Sequence, residues 1–126
     1  MKFKTNKQKG NTGIGIAIGY FMSNGYIVSI PINDTQDYDL IVDINNNLSK
    51  IQVKATGYKT KYGVYVASLR SRGGTKGVTY KTVLETNIDY VFIFSADKRM
   101  WLIPHKELNQ INSINLGKDK DKFLVS

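Results

Sequence analysis

Two β-rich segments joined by a run of three asparagines constrain the fold of this chain most strongly. Residues 38–44 and 48–55 are rich in Ile, Val and Leu, and the asparagines at 45–47 favour a turn. We therefore predict an antiparallel hairpin closed by a four-residue connection, residues 44–47. In that register the numbers of facing residues sum to 91. The facing pairs are then Asp43–Leu48, Ile41–Lys50 and Asp39–Gln52.

The remaining segments predict an α+β fold with a mixed sheet around this hairpin. An apolar pattern with helical spacing predicts a helix from Asn11 or Thr12 to residue 22, ended by Ser23-Asn24-Gly25. Further strands are expected at residues 26–30, 62–69, 89–95 and 100–103, and a short helix at 104–111. The 126 residues suit a single domain, with a basic flexible arm at 1–9 and a charged tail at 112–126.

Composition excludes several classes of protein and site. The chain has no cysteine and one histidine, His105, which excludes disulfide scaffolds, zinc cages and a cysteine nucleophile. The longest apolar run, residues 14–22, is far shorter than the ~20 residues that span a membrane. Since the amino end shows no signal-peptide pattern, we expect a cytoplasmic protein without a membrane partner.

The positive charge is concentrated in the middle of the chain. Lys and Arg total 18 against 10 Asp and Glu, for a net charge of +8. Residues 44–84 contain no acidic residue, and they hold eight basic ones: Lys50, Lys54, Lys59, Lys61, Arg70, Arg72, Lys76 and Lys81. A block of one sign favours a polyanion partner, most often nucleic acid, although a solvated basic surface has the same composition.

The predicted hairpin brings three polar side chains to one face of the sheet. Asp39 faces Gln52, and Lys54 shares that face because side chains alternate along a strand. A carboxylate and an amide oxygen suit a hard cation such as Mg²⁺, and a nearby lysine can pair with phosphate and orient a water. The pattern therefore indicates a phosphodiesterase site, while a polar strand end would carry the same residues.

These residues resemble the signature of the PD-(D/E)XK nucleases. Asp39 followed by Gln52-Val53-Lys54 matches it, with Tyr38 in place of the proline and Gln52 in place of the second acid. Four other segments, around residues 9–13, 25–31, 38–43 and 101–104, are similar in the same order to the group I intron-associated homing endonucleases of that superfamily.

The resemblance implies a restriction-endonuclease-like α/β/α fold and a Mg²⁺-dependent DNA endonuclease in which Mn²⁺ can replace Mg²⁺. It implies Asp39, Gln52 and the Val53 carbonyl as metal ligands and Lys54 as the residue that assists the attacking water. Many members carry a glutamate on the first helix, where this chain has Ile14. Because two strand cuts need two sites, we expect a homodimer or homotetramer. A junction resolvase, a restriction-like enzyme and a non-catalytic DNA-binding protein are the alternatives.

Six basic residues of the central block are the predicted DNA contacts. They are Lys59, Lys61, Arg70, Arg72, Lys76 and Lys81. The glycine-rich stretch at 71–77 is expected to approach phosphate with its backbone amides, after a strand of the same sheet as the site. The glycines at 13–19 do not follow a buried strand, so they are interpreted as sites of close packing and not as a dinucleotide-binding loop.

Overall fold

One long helix and ten short strands make up the described part of the chain. The computed structural model describes residues 1–73, 79–83, 86–109 and 112–126, with only the backbone of 71–73 and 79–82. The helix is α1 (Asn6–Ser23), and two short 3-10 helices span His105–Glu107 and Lys118–Phe123. The strands are β1 (Ile27–Ser29), β2 (Leu40–Ile44), β3 (Asn47–Thr56), β4 (Val66–Ser68), β5 (Arg70–Gly73), β6 (Thr79–Thr82), β7 (Tyr90–Ser95), β8 (Met100–Pro104), β9 (Ser113–Asn115) and β10 (Leu124–Val125). Within these ranges, none of the helices is long and apolar enough to cross a membrane.

Six of the strands form one mixed sheet, as the sequence predicts. Their order is β1-β2-β3-β7-β8-β10. The two central strands, β3 and β7, run parallel, and the other neighbours are antiparallel. A parallel pair needs a long crossover, and here residues 57–89 provide it. That crossover carries β4, β5 and β6.

The β2–β3 hairpin has the predicted register. Asp43 pairs with Leu48, and Ile44 pairs with Asn47. The turn therefore contains only residues 45 and 46, whose φ angles are 54° and 66°. Asparagine tolerates this left-handed conformation, and two such residues suit the twist of a two-residue hairpin turn. The connection is thus shorter than expected, without any change in which residues face each other.

Helix α1 packs on one face of the central sheet. Its buried side chains join the inward residues of the sheet in one apolar cluster: Ala17, Phe21, Leu40, Val42, Ile51, Val53, Phe92 and Phe94. The helix comes closest at Gly13, where an added Cβ would lie 3.1 Å from the Cβ of Ala55. This confirms close packing as the role of Gly13.

A second apolar cluster fills the opposite face of the sheet. Val91, Ile93, Trp101 and Ile103 point into it from β7 and β8. In the described residues, the β4–β9 pair supplies the outer layer, with Ala67 and Ile114 fully buried and paired across the two strands. Because β7 is buried on both faces, its residues Val91–Phe94 form a continuous apolar run.

The first helix begins five residues earlier than the sequence analysis placed it. Thr5 is the N-cap, and its side chain accepts a hydrogen bond from the Gln8 N–H at 3.0 Å. Gln8 Oε1 in turn accepts the Lys4 N–H at 2.7 Å. Residues 6–9 therefore belong to the helix and not to an arm. Phe3 anchors the preceding residues, because its ring packs edge-on against Phe94 with centroids 6.5 Å apart.

Two predictions for the second half of the chain were wrong. Of the strand expected at 62–69, only β4 forms, and it pairs with β9 outside the central sheet. Of the helix expected at 104–111, the described residues 104–109 form only a single 3-10 turn, because Pro104 pairs with Tyr90 and Leu108 is extended and buried. The charged tail contributes β9 to the second layer and β10 to the sheet edge beside β8.

Candidate active site

The predicted site residues lie where β3 extends past its neighbour β2. The last pair of the hairpin is Leu40 with Ile51, and β3 continues beyond it to Thr56 with β7 on its other side. Ile51 and Val53 point toward α1, so Gln52 and Lys54 lie on the opposite face of the sheet. The open side of β3 leaves a backbone N–H, that of Val53, without a β2 partner.

The carboxylate of Asp39 takes the place of that missing strand partner. Its Oδ2 accepts the Val53 N–H at 2.8 Å and the Gln52 Nε2–H at 3.1 Å. The Asp39 N–H donates to the Ile51 carbonyl at 2.8 Å, which fixes the backbone that carries the carboxylate. Asp39 and Gln52 thus contact each other, as the register predicts. Since Oδ2 holds both donors, Oδ1 of Asp39 and Oε1 of Gln52 are the oxygens suited to a cation.

The ammonium of Lys54 is held by the neighbouring hairpin β5–β6. Lys54 Nζ donates to the Arg70 carbonyl at 2.7 Å, where Arg70 begins β5. Burial lowers the pKa of Lys54, the Asp39 carboxylate opposes that shift, and the charge of Lys9 adds to it. Arg70 is therefore a contact of the site through its backbone, besides being a predicted DNA contact.

Burial also changes the acid strength of Asp39. Removal from water raises the pKa of its carboxyl above the ordinary value, and the Val53 N–H and the Lys54 charge offset part of the rise. Asp39 and Lys54 are both half-buried and their charges interact. Each group lacks part of the water that would stabilise its charge, so its pKa shifts. Shifted pKa values of this kind are frequent at functional sites.

A cavity of about 590 Å³ adjoins the Lys54 side of the site. Its walls come from α1, the end of β3, the β4–β9 pair and the start of β5. Polar and charged side chains of the lining include Asn6, Lys9, Lys54, Ser68, Arg70 and Asn112. The described lining contains three cationic side chains and no acidic one.

The predicted DNA contacts are spread over several elements. Lys59 and Lys61 are exposed, with their ammonium groups 5.1 Å and 5.2 Å from the ring centroids of Tyr65 and Tyr62. Arg70 lines the cavity, and its Nε donates to Asn112 Oδ1 at 3.1 Å. Arg72 and Lys81 belong to β5 and β6, with side chains outside the described part, and Lys76 lies outside the described residues. Their DNA contacts stay predictions.

The sequence analysis missed Asn6 and Lys9 because it placed both in the arm. Their position on α1 brings them to the cavity beside Lys54. The signal that could have found them is the pattern Thr5-x-x-Gln8, which is typical of a helix N-terminus. Ile14, which takes the place of the family's helix acid, is half-buried and packs against the α1-side cluster.

The side chain of His105 makes a structural hydrogen bond to the backbone. Its Nε2–H donates to the Val83 carbonyl at 2.9 Å, and its backbone N–H donates to the Asp89 carbonyl. These bonds join the end of β8 to the crossover.

The chain has recognisable relatives. It matches the family model described as PD-(D/E)XK endonuclease over residues 4–122. Curated protein sequences give no match. Among solved structures, it is similar to that of a bacterial homing endonuclease, I-Ssp6803I, with a TM-score of 0.76 and 23% identity over 94% of this chain and 82% of that one. This likeness shows the restriction-endonuclease-like fold. The family model matches nearly the whole chain, and the signature residues Asp39, Gln52 and Lys54 lie together at one strand end. The chain belongs to the PD-(D/E)XK endonuclease family.

Proposed function

We propose that this protein is a Mg²⁺-dependent DNA endonuclease of the homing type. The observation that carries the proposal is the arrangement of Asp39, Gln52 and Lys54 at the open end of β3, with the carboxylate and the amide in direct contact. Family membership supports endonuclease chemistry, and the basic block supports DNA as the substrate.

The donor atoms at this strand end fit a hard divalent cation. The candidate ligand atoms are all oxygens: Oδ1 of Asp39, Oε1 of Gln52 and the backbone carbonyl oxygen of Val53. Mg²⁺ is commonly held by one or two carboxylates, substrate phosphate and several waters, so one carboxylate and one amide are a sufficient protein share. Among the described residues, no three or more His, Cys, Asp or Glu side chains lie close enough together to hold a metal ion by themselves. Mn²⁺ takes similar ligands and is expected to substitute.

When bound, the metal would neutralise phosphate charge and make a bound water more acidic. The chain's own residues then have separate tasks. Asp39 would hold the cation at a fixed position relative to β3, because Oδ2 of its carboxylate accepts two hydrogen bonds from that strand. In its ammonium form Lys54 can pair with the scissile phosphate. Its lowered pKa makes the neutral amine, which can accept a proton from the attacking water, easier to form than for an exposed lysine.

A homodimer or homotetramer is part of the proposal, since one site cuts one strand. Support comes from the edge strand β1. The side chains of Ile27 and Leu48 both lie beside Asp43 on one face, and they are 70% and 74% exposed. Exposed apolar side chains at a sheet edge suit an interface with a second copy. Light scattering of Ile27→Glu/Leu48→Glu against the unchanged protein tests it, and an unchanged mass would contradict this interface.

The deciding experiment incubates the protein with supercoiled, linear and branched DNA, in Mg²⁺, in Ca²⁺ and in chelator. The proposal expects Mg²⁺-dependent strand cutting that chelator abolishes. Preferential cutting of branched DNA would favour a junction resolvase over a homing enzyme. Binding of all three DNAs without cutting in Mg²⁺ or Mn²⁺ would contradict the endonuclease proposal.

That last outcome would favour a non-catalytic DNA-binding protein on the nuclease fold. One observation makes this the second candidate: at the described site, Asp39 is the only carboxylate. The presence of the partner groups Gln52 and Lys54 favours the enzyme, because a binding protein has no need to keep a half-buried carboxylate and a half-buried ammonium together.

A further inference from the structure

The cavity beside Lys54 has positive charge on more than one wall. Lys9 enters from α1, Lys54 from β3 and Arg70 from β5. The described lining contains no acidic side chain. Three cations around an acid-free cavity of about 590 Å³ make an electrostatic environment for an anion.

Lys9 is the cation of this cavity that the fold does not already use. Lys54 and Arg70 are linked through a backbone hydrogen bond, and the Arg70 head is held by Asn112. Lys9 is half-buried, and it forms no ion pair with a carboxylate in the described ranges. Its charge acts on Lys54, so two ammonium groups repel each other across the cavity. An anion between them would relieve that repulsion.

Neutral polar groups complete the lining. Asn6 lies one helical turn before Lys9 on α1, and Ser68 and Ser113 are paired across the β4–β9 strands. Amides and hydroxyls of this kind, together with Lys and Arg, make most of the contacts to nucleic-acid phosphates. A lining of these residue types, without a carboxylate, suits a bound phosphate better than a bound metal ion.

We propose that this cavity binds a phosphate of the DNA backbone adjacent to the scissile one, with Lys9 as a positioning residue. This rests on the proposed endonuclease function, because that function places the scissile phosphate at Asp39 and Lys54. Lys9 then holds the strand beside the cut, while it does not touch the reacting atoms.

A second cavity continues the path away from the site. It has a volume of about 470 Å³ and shares Asn6, Lys9 and Tyr58 with the first. Lys2 and Lys4 line it as well. Successive phosphates of one DNA strand would then lie beside Lys54, beside Lys9 and beside the residues that precede α1.

The first test compares Lys9→Gln with Lys7→Gln. Both remove one charge from the first turn of α1, but Lys7 is exposed and lines neither cavity. The probe is a 30-bp duplex of arbitrary sequence, titrated in chelator at several salt concentrations. Lys9→Gln should flatten the slope of log affinity against log salt by about 0.9 and weaken binding roughly five- to tenfold near 0.1 M salt. Equal slopes for the two variants would overturn the proposal.

The second test approaches the cavity from the opposite wall. Ser68→Asp adds a negative charge inside it, and Asn115→Asp adds the same charge to the same two-stranded sheet outside it. Ser68→Asp should weaken duplex binding at least as much as Lys9→Gln, with the control close to the unchanged protein. If both aspartates weaken binding equally, the cavity is not the phosphate site.

Failure of this proposal and failure of the endonuclease proposal give different results. The binding slopes need no cutting, so they remain informative if the protein does not cleave. Where it cleaves, Lys9→Gln should raise the DNA concentration for half-maximal single-turnover rate and leave the maximal rate within about threefold. A large loss of maximal rate at saturating DNA would overturn the positioning role.

Discussion

At two places on β3, an aspartate carboxylate accepts a hydrogen bond from a backbone N–H of the strand. Asp39 immediately precedes β2 and accepts the Val53 N–H, and Asp89 immediately precedes β7 and accepts the Lys50 N–H, both at 2.8 Å. The two bonds are alike, whereas their surroundings differ. Asp39 is half-buried beside Gln52 and Lys54, and Asp89 is exposed.

The difference shows that the bond alone does not make a site. Both carboxylates satisfy a strand N–H, which is a structural task. Of the two, Asp39 alone is half-buried next to the half-buried ammonium of Lys54, and burial raises the pKa of its carboxyl. The chain therefore contains its own control, because Asp89 forms the same kind of hydrogen bond to β3 as Asp39 does but is exposed.

The largest expected effect separates the two aspartates. Asp39→Asn keeps an oxygen for the Val53 N–H but removes the charge, so single-turnover cleavage of plasmid in Mg²⁺ should fall by on the order of 10³-fold. Asp89→Asn should cleave within about twofold of the unchanged protein. Equal losses in the two variants would mean that Asp39 acts only as a strand cap.

The two lysines give the next largest difference. Lys54→Met removes the ammonium that Arg70 holds near Asp39, and we expect a loss of about 10²- to 10³-fold in maximal cleavage rate. Lys50→Met removes an ammonium 5.7 Å from the Tyr38 ring centroid and should change the rate little. Cleavage by Lys54→Met at the rate of Lys50→Met would remove Lys54 from the catalytic assignment.

A smaller effect tests whether α1 can supply a further acid. Ile14 packs against the α1-side cluster, so Ile14→Glu places a carboxylate on apolar side chains and should cost about 1–3 kcal/mol of unfolding free energy. Gly15→Glu, on the exposed side of the same helix, should cost nothing. Urea titration measures both. An Ile14→Glu protein of full stability that binds Mg²⁺ more tightly would show that position 14 faces the site.

The smallest effect concerns pH and stability in chelator. Because burial raises the pKa of Asp39, the folded protein holds this proton more tightly than the unfolded chain does. The Asp39 contribution to stability is therefore greatest below the unfolded pKa of about 3.9 and declines as pH rises through the raised folded value. Thermal melts should show Asp39→Asn gaining stability relative to the unchanged protein over that rise. A relative loss would show that the carboxylate stabilises the fold.

The central hairpin could be predicted from the sequence because its information is local. Alternating apolar residues and an asparagine turn set the register, and the register sets the Asp39–Gln52 contact. The Lys54–Arg70 bond and the Asp89 cap could not be predicted, since each joins segments that only the tertiary fold brings together. The helix expected at 104–111 failed for the same reason: the buried Leu108 and the Pro104–Tyr90 pair outweigh local helix preference.

The most direct test of the central claim is a crystal structure with Mn²⁺ and data collected at the manganese absorption edge. The account predicts an anomalous peak about 2.0–2.6 Å from oxygens of Asp39 and Gln52, because hard divalent cations bind oxygen at such distances. It predicts no peak at Asp89, which has the same strand hydrogen bond without the site. A peak at Asp89 alone, or full Mn²⁺ occupancy elsewhere with none at Asp39, would contradict the account.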